Sequence, residues 1–135
     1  MPEVTLNYWA ILVSVVACMV LGFVWYAKPV FGRAWMSLIG KNKYQLKKGQ
    51  TPAMVGMLIF AAILSYVMAH FVDYTNATTI GAGIVTGIWV WLGFVVPTRG
   101  GEYLFSQQSM KLFMINAGYN LVQLVVIGAI LAAWK

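Results

Sequence analysis

Charge is scarce in this chain: Asp, Glu, Lys and Arg together make up 9% of its 135 residues, against roughly a quarter in ordinary soluble domains. An ordinary solvated surface is therefore excluded. Carboxylates are scarcer still, being Glu3, Asp73 and Glu102, and none falls inside an apolar run. Paired-carboxylate acid–base chemistry is excluded, and so is the buried titrating group on which proton-coupled carriers depend. The lone cysteine, Cys18, has no partner for an internal disulfide and reads as a small packing residue. The lone histidine, His70, stands three residues before Asp73, an outer-end pair one helical turn apart. One His and one carboxylate are too few ligands for a closed zinc site. No Ser-His-Asp set, phosphate loop or metal-ligand spacing occurs, so neither a catalytic residue nor a cofactor nor a metal is expected, and the chain does not read as an enzyme.

What the chain has is apolar residues, 61% of the total, gathered in runs at Leu6 to Ala27, Met54 to Val72, Ile80 to Val96 and Leu112 to Trp134. A helix needs about 20 such residues to cross a hydrocarbon core of about 30 Å, and each run with its flanks reaches that length. The expected fold is an all-α, four-transmembrane-helix bundle forming one membrane domain over 1–135. Its spans fall at about 6–27, 52–72, 80–98 and 112–134. A basic loop at 28–51, an outer loop at 73–79 and an inner loop at 99–111 join them.

The net charge of +6 is unevenly placed: Lys28, Arg33, Lys41, Lys43, Lys47 and Lys48 share the first loop, while Arg99 and Lys111 flank the third. The positive-inside rule puts both basic loops in the cytoplasm and both chain ends outside, in the cell's inner membrane. Basic residues so placed are expected to meet anionic lipid headgroups, and nucleic acid is not expected as a partner. Residues 15–18, "VVAC", look like a lipoprotein cleavage box, but no Lys or Arg precedes the apolar run, so the first helix is expected to stay as an uncleaved anchor.

Small residues recur every four positions: Ala10, Ser14, Cys18 and Gly22 in the first span, then Ala61, Ser65 and Ala69 in the second. Gly83 with Gly87 and Gly128 with Ala132 do the same in the third and fourth. Such seams let helices approach closely, here within one chain and, where seams are left over, in a homo-oligomer. "PVFGRAWMSLIG", 29–40, is too short to span and reads as an amphipathic turn or two at the interface, followed by polar linker. Trp25, Tyr26 and Trp35, with Arg33 and Arg99, form an expected cytoplasmic belt for lipid and interface. "LGFV" occurs at 21–24 and again at 92–95, a hint of two parallel hairpins related by a pseudo-two-fold axis.

Inside the fourth span, "NAGYNLVQ" places Asn116, Tyr119, Asn120 and Gln123 within an arc of about 100°. A polar face of that kind cannot meet acyl tails without loss, and must turn toward protein or water.

"GFVWYAKPVFGRAW", "WLGFVVPT" and "KLFMINAGYNLVQLVVIGAILAAW" resemble a bacterial family of small four-helix membrane proteins catalogued as a domain of unknown function. Trp25, Tyr26, Phe31, Gly32, Arg33 and Trp35 match its Trp-Tyr and Phe-Gly-basic-x-Trp elements, and Ile115 to Tyr119 match its fourth-helix signature. The resemblance implies the topology and no catalytic residue. The leading functional expectation is a structural or accessory membrane module assembled through the seams and the polar stripe. The alternative is an oligomeric channel or passive carrier lined by Asn116, Asn120 and Gln123, and a third reading is anionic-lipid binding at the cytoplasmic belt.

Overall fold

The computed structural model describes residues 3–135. Nine helical segments follow one another. They are α1 (Tyr8–Trp25), a π-helical turn (Lys28–Gly32), α2 (Arg33–Ile39), α3 (Lys43–Lys48), α4 (Gln50–Tyr74), α5 (Ile80–Val90), a second π-helical turn (Trp91–Val95), α6 (Val96–Phe105) and α7 (Met110–Ala133). No strand occurs among the described residues. Since α5, the π turn and α6 run on without a break, four helices are long and apolar enough to cross a membrane: Tyr8–Trp25, Gln50–Tyr74, Ile80–Phe105 and Met110–Ala133. This is the all-α four-helix bundle of a multi-pass membrane protein.

Local chemistry sets where the helices begin. Asn7 accepts hydrogen bonds from the backbone of Trp9 and Ala10, Thr79 from Ala82, and Ser109 from Leu112, so α1, α5 and α7 each start on a side-chain cap. Asn42 and Gln45 form a reciprocal capping box that starts α3 inside what reads in the sequence as plain linker. The stretch 29–40 does form a short helix, α2, ended by Gly40 in the left-handed conformation. The third span continues well past residue 98: α6 carries it to Phe105, which leaves only a short turn before Ser109 caps α7. Pro97, lacking an N–H, cannot bond the carbonyl of Gly93, and the chain adopts its second π turn at that point.

The seams lie where helices meet. Ala10, Ser14 and Cys18 of α1 are buried, as are Ala61, Ser65 and Ala69 of α4. Gly83 lies against the carbonyl of Gly128, and Gly87 against that of Leu124, so α5 and α7 touch backbone to backbone and a methyl at either glycine would strike an oxygen. Met68, Leu124 and Ile127 complete the interior. Outward faces carry Val16, Val20, Phe60, Ile63 and Trp89, all exposed and apolar, as lipid-facing surfaces are.

The two ends of the bundle differ. At the far end, which holds Asn7, Asp73 and Trp134, the Asn7 amide donates to the Trp134 carbonyl at 3.3 Å and Lys135 pairs with Asp73 at 3.4 Å. At the basic end α4 splays away: from Gln50 to Phe60 nearly every residue is exposed, and burial begins only at Ala61. The wedge between α4, α1 and α7 holds the largest cavity described below.

Candidate functional site

The polar stripe of α7 faces inward along its whole length. The Tyr26 hydroxyl donates to Asn116 Oδ1 at 2.7 Å, and Asn116 Nδ2 donates to the Tyr103 hydroxyl, also at 2.7 Å. One turn on, the Tyr119 hydroxyl donates to the Cys18 carbonyl at 3.2 Å, lying where a Cβ on Gly22 would crowd it. Arg99 Nη1 donates to Asn120 Oδ1 at 3.0 Å, and Asn120 Nδ2 reaches Gln123 Oε1 at 3.4 Å. Gln123 and Ser65 are both buried beside the Cys18 thiol. Thr86 lies elsewhere: its hydroxyl is 3.1 Å from that of Thr75, away from the stripe.

The aromatic members of the expected cytoplasmic belt also make contacts within the chain. Trp25 Nε1 donates to the Ile115 carbonyl at 3.0 Å, Tyr26 is held by Asn116, and Trp35 packs edge-on against Tyr26 with ring centroids 5.2 Å apart. Each is half-buried, and the indole and phenol donors of Trp25 and Tyr26 find acceptors on protein. Trp91, delivered by the second π turn, donates Nε1 to the Ala117 carbonyl at 2.8 Å. Two indoles thus straddle Asn116. They fit because Gly118 is small: a Cβ there would lie 3.2 Å from the Trp25 ring. Gly32 is needed for the same kind of reason, since a Cβ would strike the Tyr26 carbonyl inside the first π turn. The "WY…FG", "WLGFV" and "INAGY" stretches therefore meet at one place, the basic half of α7.

Arg99 departs furthest from expectation. Its position in the sequence flanks a loop, where it is expected to form part of the cytoplasmic belt. It lies within α6, half-buried, six residues before the Phe105 end, or about 9 Å of helix. Its guanidinium reaches inward to Asn120 rather than outward, while Glu102 is exposed. Asn120 in turn sits ten residues, or about 15 Å, along α7 from Met110. Arg33 does not line the cavity that Arg99 lines: it is exposed on an adjoining shallow depression with Lys28, Lys41 and Lys43.

At the far end, His70 and Asp73 take different partners. His70 Nδ1 lies 2.9 Å from the Tyr66 carbonyl with its ring against Tyr66, whereas Asp73 binds Lys135. No cluster of His, Cys, Asp and Glu able to hold a metal occurs among the described residues.

The wedge at the basic end encloses a cavity of about 740 Å³, within the roughly 300–1,000 Å³ of small-molecule sites. Asn116, Tyr119, Asn120, Tyr26 and Arg99 form one polar side, and α1, α2 and α4 supply apolar walls. Sequence reasoning did not find the Tyr103 and Trp91 hydrogen bonds, nor that Arg99 and α4 line the cavity. The indole and phenol donors were the available signal, because inside a bilayer each must find an acceptor.

No curated protein and no solved structure matches the chain. A family model matches residues 9–132, from the second residue of α1 to the end of α7, and over that span the chain belongs to the family described as "Protein of unknown function (DUF1761)".

Proposed function

We propose that the protein is a non-catalytic structural or accessory module of the cell's inner membrane, welded by the polar stripe of α7. The observation that carries this reading is that Asn116, Tyr119, Asn120 and Gln123 all hydrogen-bond within the same chain. Interhelical bonds of this kind average about 0.6 kcal/mol with a maximum near 1.7, which is reason enough to keep them. The basic end faces the cytoplasm under the positive-inside rule, and Lys28, Arg33, Lys41 and Lys43 meet anionic headgroups there. The small-residue seams are occupied inside the chain, so assembly of a homo-oligomer falls to the exposed apolar faces.

A conduit is the competing reading, favoured by the cavity that reaches Asn116 and Asn120. Against it stands the region beyond Tyr119, where Gln123, Leu124, Ile127 and Leu131 are all buried. The test uses single-cysteine variants at 116, 120 and 123 in a Cys18→Ala background, probed with a membrane-impermeant maleimide from each side. The expected result is labelling at 116 and 120 from the basic side only, and silence at 123 from both. Rapid labelling at 123, or selective solute uptake by reconstituted protein that Asn120→Leu abolishes, would replace the accessory module with the conduit.

A further inference from the structure

The cavity at the basic end combines features that a helix-packing defect does not require. Its polar side holds a half-buried guanidinium, Arg99, whose one hydrogen bond to protein goes to a neutral amide oxygen, that of Asn120. A guanidinium offers five N–H donors in a planar fork suited to an oxyanion. The ion pair formed among the described residues is Lys135 with Asp73, at the opposite end of the molecule, and no carboxylate lines the cavity. A cation held away from bulk water without an anion is costly, and intramembrane cations of this type mark ligand sites. Lys43 and Lys47 of α3 stand at the mouth and add positive charge of the same purpose.

The remaining walls are apolar: Met19 and Phe23 of α1, Met36 of α2, Met54 and Met57 of α4. Phe23, Met54 and Met57 line the cavity yet are themselves exposed, so the slot between α1 and α4 is open rather than sealed by protein, at a depth where both helices are apolar enough to meet lipid. Methionine is unbranched and adapts to chains of varied shape. The site thus has a cationic, hydrogen-bonding inner side, an apolar slot and a lateral door.

We propose that this cavity binds an anionic amphiphile taken from the bilayer, its oxyanion head on the fork of Arg99 and its alkyl chain in the slot between α1 and α4. Charge complementarity and the sideways opening select this occupant over a free anion, which would use neither the methionines nor the door. The site differs from headgroup contact at Arg33, which does not line the cavity, and it does not depend on whether the protein is an accessory module.

Trp35 lines the cavity and serves as the reporter. The experiment titrates the full chain in neutral-detergent micelles with 9,10-dibromostearate, whose bromines quench nearby indoles, and with the uncharged 9,10-dibromostearyl alcohol. Saturable quenching by the acid is expected at a concentration at least tenfold below that of the alcohol, and Trp35→Phe removes the saturable part. Arg99→Gln weakens the acid at least tenfold, while Arg33→Gln leaves it unchanged. In case Arg99→Gln fails to fold, Asn120→Asp supplies an internal carboxylate to the same guanidinium and is expected to abolish binding in a well-folded protein. Equal quenching by acid and alcohol, full retention of the acid by Asn120→Asp, or loss on Arg33→Gln overturns the proposal. So does full displacement of the acid by millimolar inorganic phosphate, which would make the site one for a free anion.

Discussion

The far and basic halves of the bundle hold α7 by different physics. In the far half, Gly128 meets Gly83 and Leu124 meets Gly87 at backbone contact, with no side-chain hydrogen bond between the two helices at that crossing. In the basic half, α7 stands off from its neighbours and reaches them through side chains: Asn116 to Tyr26 and Tyr103, Asn120 to Arg99, and Ile115 and Ala117 carbonyls to two indoles. Close contact leaves no room, whereas long polar arms hold helices together while keeping space between them. The cavity that α7 lines with its polar stripe lies where the second device operates. α7 can serve both because it is the central helix: 44% of its most apolar window is buried, against 17–22% for the other three spans.

The comparison breaks hardest at the far crossing. Gly83→Val puts two methyls where the Gly128 carbonyl lies, and α5 must separate from α7 to admit them. We expect a loss of about 3 kcal/mol, near the top of the range for overpacking. Titration of the micelle-bound protein with SDS, followed by circular dichroism, measures it. Gly56→Ala is the matched control, because nothing lies within 4 Å of a Cβ there and the stability should hold.

The basic half should break in smaller, separable steps. Asn116→Leu strips both the Tyr26 and Tyr103 hydroxyls of their partner, a loss of about 1.5 kcal/mol, near the largest seen for interhelical bonds in a membrane. Tyr119→Phe keeps the ring against Gly22 and removes one bond of 3.2 Å to Cys18, and about 0.6 kcal/mol is expected. A double-mutant cycle of Asn116→Leu with Tyr103→Phe should give a coupling of about 0.5 kcal/mol or more, as partners in one network do. Additivity between the two would mean that the stripe does not work as a network.

Much of this contrast was legible beforehand. Length and apolarity located the four spans, and four-residue spacing identified the seam of α1, since Ala10, Ser14 and Cys18 are all buried. The arc of Asn116, Tyr119, Asn120 and Gln123 was visible because helical periodicity alone decides which residues share a face. Their partners were not visible. Nothing local ties Arg99 to Asn120, 21 residues on, and the rule that basic residues near span ends reach for headgroups does not reveal that bond. The protein contacts of the aromatic belt were hidden for a related reason. Trp25 and Tyr26 sit at the right depth for an interface, but depth does not reveal whether a ring turns to lipid or to a carbonyl on a neighbouring helix. The π turn at Trp91–Val95 was equally hidden.

The smallest effect should fall on the one ion pair described, and it sharpens the account of how the far end closes. Lys135 Nζ and Asp73 Oδ1 lie 3.4 Å apart with both side chains about a third exposed, so water and salt screen the pair and its contribution should not exceed about 0.5 kcal/mol. If backbone contact at Gly83 and Gly128 closes that end, Lys135→Met leaves the SDS unfolding midpoint nearly unchanged, and 0.5 M salt changes the wild type no more than the variant. A large loss in Lys135→Met that salt reproduces in the wild type would mean that charge, and not the glycine crossing, holds the far end shut, and the division of labour along α7 would have to be redrawn.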